Sequence, residues 1–494
     1  MERSAKALCL LFSLTLGVGC DQARGASYYF DQNGATAGFG LTGGGVYSWD
    51  NPDSGAVQYW NSVNGGAGTF SRWSSLTGTD NIAIFTGVAD GYTVNLQDDV
   101  WVGGIRLNTS LNSAKAVVIQ AASTKKITLA PGAAITNVAG SGRHLIFGDH
   151  IDLVGDILLD GNGTVGIRGV GNKYTGTITL AGLTANATLS VASDHRYAAT
   201  TKMVINQGSI SLVDATSATI AELKGSGGSV LGVSNSTLIL DQNSNTEWAG
   251  VLGSNTAGTA STQALSFEKK GTGTLSLTGI TNHSLNGKVT VHDGALYIGG
   301  NLVQSSLVTG VTNGVFVKDG ALFGGTTSSD KRVYLEAAGS QLSPGMLGEV
   351  GTLTLANGLT ASSGGTFNFA FNGLDELGEA ANSKIVMSAG VLTLGGVLTA
   401  NFTDLGLGDM DAGQSYTFTI FEADGIGGSL SLWTVGDLPT GWVAGPEAFS
   451  IDGNALRITL HVIPEPSTIA LTLLSLVALV PLYRSTQKEG HANR

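Results

Sequence analysis

Residues 265–300 read LSFEKKGTGTLSLTGITNHSLNGKVTVHDGALYIGG, and the fold follows from them. Thr274-Leu275-Ser276-Leu277 alternates small polar and apolar side chains. That is the period-two pattern of a strand with one buried face. Gly, Asn and Asp punctuate the stretch at short intervals and supply the backbone freedom that turns need. The pattern extends outward in both directions. Thr177-Ile178-Thr179-Leu180, Thr237-Leu238-Ile239-Leu240 and Arg457-Ile458-Thr459-Leu460 repeat it. No helical apolar period persists between the two terminal segments, so the sequence predicts an all-β protein of many short strands.

Strands this short and dense suggest a repeat. Val289–Leu296 (VTVHDGAL) matches Val315–Leu322 (VFVKDGAL) at an offset of 26, and Gly273–Leu277 (GTLSL) matches Gly351–Leu355 (GTLTL) at three times that offset. A period of this size suits one coil of a β-solenoid, whose apolar side chains are covered by the coils above and below. Gly294 and Gly320 follow Asp in the matched turns and are expected at positive φ.

The opening Lys-x-Gly-x-Gly-Thr-Leu-x-Leu, from Lys269 or Lys270 to Leu277, resembles the autotransporter-associated β-strand repeat. So does the second half, Gly287 to Gly300, with its Asp-Gly-Ala-Leu turn. Leu342–Gly345 and the residues to Phe371 are similar to the Pro-Gly segment that follows such repeats. The resemblance implies an elongated right-handed parallel β-helix displayed outside the cell. No translocating barrel pattern is read after it, so the likeness concerns the passenger fold and not the secretion route.

Both ends carry targeting patterns. Residues 1–25 read as an export signal, with Arg3 and Lys6 as its charged part, Ala7 to Val18 as its apolar part and a small-residue exit. Ala23-Arg24-Gly25 fits the small-x-small rule, which places cleavage before Ala26. Lipoprotein processing at Cys20 is the rival reading. At the other end, residues 462–494 hold Pro464-Glu465-Pro466, an apolar run over 469–482, and Arg484 with Lys488 and Arg494 behind it. The prolines keep the first part extended. The run is short against the ~20 residues of an untilted span. The trailing basic residues predict a cytoplasmic C-terminus. This order resembles the PEP-CTERM sorting signal, which implies a Gram-negative host, transient inner-membrane anchoring through the helix, and processing near Pro-Glu-Pro by an exosortase-type transpeptidase. Arg484 stands alone where the family has an arginine cluster. A plain C-terminal anchor remains the other reading.

Composition bounds the middle of the chain. The only cysteines, Cys9 and Cys20, lie in the signal region, so the mature chain has no disulfide or thiol chemistry. Glycine supplies 73 of 494 residues, roughly twice average usage. A net charge of −12 argues against nucleic acid and anionic membrane surfaces as partners. The chain is too long for one compact core. The expected layout is an aromatic-rich cap or first coils over 26–103, solenoid repeats over 104–389, and a small β unit or cap over 390–461.

Residues 26–103 hold Trp49, Trp60, Trp73, Trp101, Tyr28, Tyr29 and Tyr59. They read as cap filling, with a sugar-stacking face as the alternative. Trp433 and Trp442 are candidate core of the C-terminal part. Asp149, Asp152, Asp156 and Asp160 form the densest acid cluster, but their spacing puts them on no single strand face. Turn placement and a weak calcium site are the two readings. Asp98-Asp99, His144 with Arg143, His195-Arg196 and the glycines 65, 66 and 68 read as turn or structural residues. No catalytic, cofactor or metal residue is assigned. The sequence therefore points to a non-enzymatic structural or adhesive protein, exported to the cell surface or extracellular matrix and associated with exopolysaccharide. A β-helical polysaccharide lyase or glycosidase, or a carbohydrate-binding module, is the alternative.

Overall fold

The structure, a computed structural model, describes residues 25–463 except 34–35, 50–58, 74–79, 109–110, 113, 141, 169–173, 182–187, 193–199, 214–216, 233–234, 254–263, 280–281, 305–312, 347–348, 374–381, 406–412 and 427–428. It is all-β, with parallel sheets in a solenoid-like arrangement and no α-helix among the described residues. No helix there is long and apolar enough to cross a membrane. The segment 469–482 lies outside the described residues. The chain divides into two units, Met1–Val315 and Phe316–Arg494.

In the first unit the alternation read from sequence becomes inward and outward faces. The strand Leu265–Lys270 buries Leu265, Phe267 and Lys269, and Thr274–Leu277 buries Leu275 and Leu277. Each strand pairs in parallel with the equivalent strand of the next circuit. Phe267 lies beside Val289, Leu275 beside Leu296, and His283 beside Leu302. The chain visits three ladders in turn. Leu265–Lys270, Thr274–Leu277 and Asn282–Ser284 make one circuit, and Val289–Val291, Ala295–Ile298 and Asn301–Val303 make the next. No circuit buries its own apolar side chains, because each strand's inner row needs a row on the neighbouring strand. A fully buried Leu or Val contributes ~1.5–3 kcal/mol.

Earlier in this unit one ladder runs through Ser27–Phe30, Ile82–Phe85, Val100–Leu107 and the long strand Lys125–Asn137, all parallel. Lys125–Asn137 carries Ile151–Val154 on its first half and Ile157–Gly161 on its second. At the start of this ladder the direction changes. Trp60–Asn61 lies antiparallel on Ser27–Phe30, and Phe70–Ser71 lies antiparallel on Trp60–Asn61.

The second unit repeats the parallel logic with wider circuits. Gln341 pairs with Thr366, Thr366 with Thr399, and Thr399 with Thr434. A second ladder joins Val333–Leu335, Leu359–Ala361 and Leu392–Leu394. The third, Ser328–Ser329, Thr352–Leu355, Lys384–Met387 and Ser415–Ala423, ends in antiparallel strands, Ala455–Val462 and then Trp442–Asp452. The 390–461 stretch is thus not set apart by pairing, since Leu392–Leu394, Leu398–Asp404 and Trp433–Val435 continue the parallel ladders. Trp433 and Trp442 are buried there.

The two sequence matches fare differently. Gly294 and Gly320 do stand at positive φ, 63° and 74°. At the offset of 26, Val289–Val291 and Val315–Val317 are neighbours in one sheet, but the five-residue match at three times that offset does not mark equivalent strands. Thr274–Leu277 stacks between Thr246–Trp248 and Ala295–Ile298, whereas Thr352–Leu355 stacks between Ser328–Ser329 and Lys384–Met387. Past residue 82 the parallel partners lie roughly 20 to 35 residues apart, and Ser27 and Val46 pair still farther along the chain, with Ile82 and Thr93, so no uniform 26-residue period exists. The echo reflects a shared local solution, a glycine corner feeding a Thr-Leu strand.

Candidate functional site

The first and last described residues, Gly25 and Ile463, border the two terminal segments. The Ala26 carbonyl accepts from the Ile82 N–H at 2.9 Å, so residue 26 is already part of the first ladder's edge. Gly25 packs against the Asp80 backbone, leaving no room for a side chain. At the other end, the Val462 N–H donates to Gln414 at 3.1 Å and the Ile463 N–H to Gly441 at 2.8 Å. Ile463 is exposed. Ala23, Cys20, Pro464, Glu465, Pro466 and Arg484 lie outside the described residues.

The N-terminal aromatics separate into two groups. Trp49, Trp60 and Trp73 are buried in one cluster, with ring centroids 4.9 Å apart for Trp49 and Trp60 and 4.7 Å for Trp60 and Trp73. Phe30 joins it at 5.4 Å from Trp60 and stacks on Tyr92 at 6.1 Å. The Tyr92 hydroxyl donates to the Thr86 carbonyl at 2.9 Å, and burial pushes its phenol pKa up. These rings are buried and fill the space under the antiparallel strands. Trp101 is different: 56% of it is exposed. Its backbone carbonyl accepts from Trp73 Nε1 at 2.8 Å. The signal for this lies in the sequence, because valines at 100 and 102 on the buried face force the indole to the opposite one.

The acidic candidates divide: Asp98, Asp99, Asp149 and Asp156 lie between strands, whereas Asp152 and Asp160 lie within the strands Ile151–Val154 and Ile157–Gly161. Asp99 Oδ1 accepts from the Lys126 N–H at 2.8 Å, and Asp98 lies 3.8 Å from Lys125 Nζ. Asp156 Oδ1 accepts from the Thr177 N–H, and Asp160 Oδ1 from the Gly161 N–H. Among the described residues no group of three His, Cys, Asp or Glu side chains is placed to hold a metal ion. Arg143 Nε donates to the Leu111 carbonyl, and His144 forms part of a parallel ladder. His195 and Arg196 lie outside the described residues. Gly65 and Gly66 take positive φ, and a side chain at Gly66 would strike the Gly38 carbonyl, so this is a tight turn.

Sequence reasoning missed the buried cations. Lys269, of the repeat motif, is fully buried, and its ammonium donates to the carbonyls of Lys270 (2.8 Å), Gly271 (2.7 Å) and Asp293 (3.4 Å). It thus ties its own corner to the next circuit. Burial pulls its pKa down to about 8, against the pull of Asp293 and Asp241. Lys331 is also buried, which lowers it to about 7. His283 is buried among apolar side chains. Its Nδ1 accepts from the Leu252 N–H at 3.2 Å, its Nε2 has no partner among the described residues, and burial lowers it to about 4.

The second unit has a polar groove of about 810 Å³ beside Ser415–Ala423. Four of its charged residues are paired, Lys384 with Glu422 at 2.8 Å and Arg457 with Asp452 at 3.0 Å, and Asp424 also lines it. Ser415 on its wall has its hydroxyl 2.6 Å from His461 Nδ1, and among the described residues no carboxylate is paired with that imidazole. No protein-family model matches this chain, and no curated protein is significantly similar to it.

Proposed function

We propose that the chain is an exported, non-enzymatic structural protein of the cell surface or extracellular matrix, sorted through its C-terminal segment by an exosortase-type transpeptidase and associated with exopolysaccharide. In this reading residues 1–25 are removed before Ala26. The apolar run 469–482 halts export briefly, Arg484 orients the tail, and cleavage near Pro464-Glu465-Pro466 releases the folded part. The parallel ladders form a right-handed β-helix.

One observation carries the reading: the order Pro-Glu-Pro, apolar run, basic residue follows directly on the last strand. Ala455–Val462 ends one residue before the exposed Ile463, and Pro464 comes next. A transpeptidase needs an extended, reachable peptide, and two prolines two residues apart resist helix and ladder alike. Side-chain amides that bond along the ladders support a structural role. Asn401 donates to Asn368 at 3.0 Å, Asn301 to Asn282 at 2.9 Å and Gln120 to Asn95 at 3.1 Å.

The test is an immunoblot of membrane and surface fractions with one tag before Pro464 and another after Arg494, in a host with an exosortase. Replacing Pro464, Glu465 and Pro466 with alanine leaves the apolar run unchanged. The variant is expected to stay uncut in the inner membrane while the wild type reaches the surface without its tail. Equal loss of the tail from both would sink the sorting reading in favour of a plain anchor.

A further inference from the structure

The strands Val100–Leu107, Lys125–Asn137 and Ile151–Val154 stack in parallel with Trp101 beside Thr128 and Thr128 beside Val154. Lys126 lies beside Asp152, and Asp99 holds the Lys126 N–H. Val100, Val102, Ile127, Leu129, Ile151 and Leu153 are all buried, so the alternate residues face solvent. The outer face is therefore a grid. One row is Trp101, Thr128 and Val154. Two residues away, about 6.7 Å, runs Asp99, Lys126 and Asp152. The rungs are ~4.8 Å apart.

Several other outward rows are satisfied along the ladder, by amide pairs such as Asn401 with Asn368, by the ion pair of Lys318 with Glu336 and by the stacked rings of Phe316 and Tyr334. Here the Trp101 indole has no ring partner, and neither its N–H, the Thr128 hydroxyl nor the Lys126 ammonium is engaged by another side chain of the described residues. The buried valines on each side and the Trp73 bond to its carbonyl fix the backbone beneath Trp101. An exposed Trp contributes little to folding, yet among the described residues it is the one aromatic among the large exposed apolar side chains.

The geometry points to a binding face for a neutral polysaccharide chain, centred on Trp101. This rests on the reading that the protein works within exopolysaccharide and assigns the surface that would meet it. A sugar ring has an apolar face, which suits the flat indole, and equatorial hydroxyls, which suit Thr128, Lys126 and the free carboxylate oxygen of Asp99. A protein partner fits poorly. One ring in a field of charges lacks the clustered anchors and the ~800 Å² per partner of a stable interface. A polyanion fits poorly as well, since Lys126 stands between two carboxylates and the whole chain carries −12.

Affinity electrophoresis of the full-length chain in detergent, with hydroxyethylcellulose, dextran, xylan or alginate in the gel, tests this. Iodide quenching is the second readout, because the other six tryptophans are buried and Trp101 alone among them is open to the quencher. The wild type is expected to be retarded by at least one neutral polymer, which also protects Trp101 from iodide. Trp101→Ala should weaken retardation tenfold or more, Thr128→Val by about threefold, and Trp101→Phe should retain part of it. All three should melt as the wild type does. Equal retardation of Trp101→Ala and wild type would overturn the site and leave polysaccharide association standing. Retardation by alginate alone would overturn the neutral class. No retardation by any polymer would overturn site and association together, whereas tail processing is decided by the immunoblot.

Discussion

Gly294 and Gly320 look equivalent in sequence, and the structure predicts that they respond differently to the same substitution. Both hold positive φ, 63° and 74°, in Asp-Gly turns. For an alanine the left-handed backbone costs ~1–2 kcal/mol, offset in part by a less flexible unfolded chain. At Gly320 that is the whole effect, since nothing lies within 4 Å of an added Cβ. At Gly294 the Cβ would sit 2.3 Å from the Gly273 carbonyl oxygen and 2.8 Å from that of Gly271, on the stacked corner below. Backbone must shift there, which adds ~1–3 kcal/mol. Gly320→Ala should therefore cost about 1 kcal/mol and Gly294→Ala about 2–4 kcal/mol. At ~2–4 °C per kcal/mol for units of this size, the apparent Tm should fall by a few degrees for the first and by roughly 5–15 °C for the second. Asparagine separates the two causes, because it tolerates positive φ but still has a Cβ. Gly320→Asn should be nearly neutral and Gly294→Asn nearly as harmful as alanine. Circular dichroism melts of the four variants beside wild type measure this. Equal shifts at the two positions would refute the claim that the Gly294 corner is closed by its neighbouring circuit.

Three further outcomes follow from buried groups. Lys269 is held at about 8, so between pH 8 and 10.5 the unfolded chain keeps a proton that the folded chain has lost, and stability should rise by up to about 3 kcal/mol across that window. Lys269→Met should remove this share of the rise, leaving that of Lys331, and urea melts at pH 7.5 and 10 would show it; an unchanged slope counts against a buried ammonium. His283 is held at about 4, so the unfolded chain takes up its proton first as pH falls, and about 3 kcal/mol is lost between pH 6.5 and 4. His283→Leu should melt later than wild type at pH 4.5, and equal acid sensitivity would show that other groups dominate. Trp60→Ala, at the centre of the ring cluster, should cost ~3–5 kcal/mol, whereas Trp101→Ala should stay within ~0.5 kcal/mol; comparable denaturation midpoints for the two would contradict the burial assigned to them.

The strands were legible because each needs only a local rule. Thr177–Leu180, Thr274–Leu277 and Ala455–Val462 all alternate in burial as their Thr and Leu alternate in sequence. The Asp-Gly turns were legible for the same reason. The ladder to which a strand belongs was not, because alternation tells which side faces in and says nothing of the neighbour. Hence GTLSL and GTLTL match in sequence yet stack on unlike partners. The buried Lys269 was hidden by a sound general rule, that lysines stay at the surface. Only three carbonyls brought together by two successive circuits make an exception of it. Of the site on the outer face, Val100-Trp101-Val102 was open to reading, but the row Asp99, Lys126 and Asp152 exists only through register between distant segments.

The two units solve one problem by the same means. A parallel ladder has no intrinsic end, since its last strand presents unpaired N–H and C=O groups to any extended chain. A disulfide cannot clamp such an end here, as both cysteines precede residue 26. In the first unit, Ser27–Phe30 is covered by the antiparallel Trp60–Asn61 and Phe70–Ser71, and the space beneath is filled by Phe30, Trp49, Trp60 and Trp73. In the second, Ser415–Ala423 is covered by the antiparallel Ala455–Val462 and Trp442–Asp452. Beneath them Trp433 packs on Phe421 at 5.5 Å and on Phe449 at 5.5 Å. Reversing strand direction breaks the register that another parallel circuit would need. Large rings then fill a cross-section that the next circuit would otherwise have occupied. Aromatic enrichment near residues 28–101 and 416–449 is thus tied to where a ladder stops, and among the described tryptophans Trp101 is the one left facing solvent.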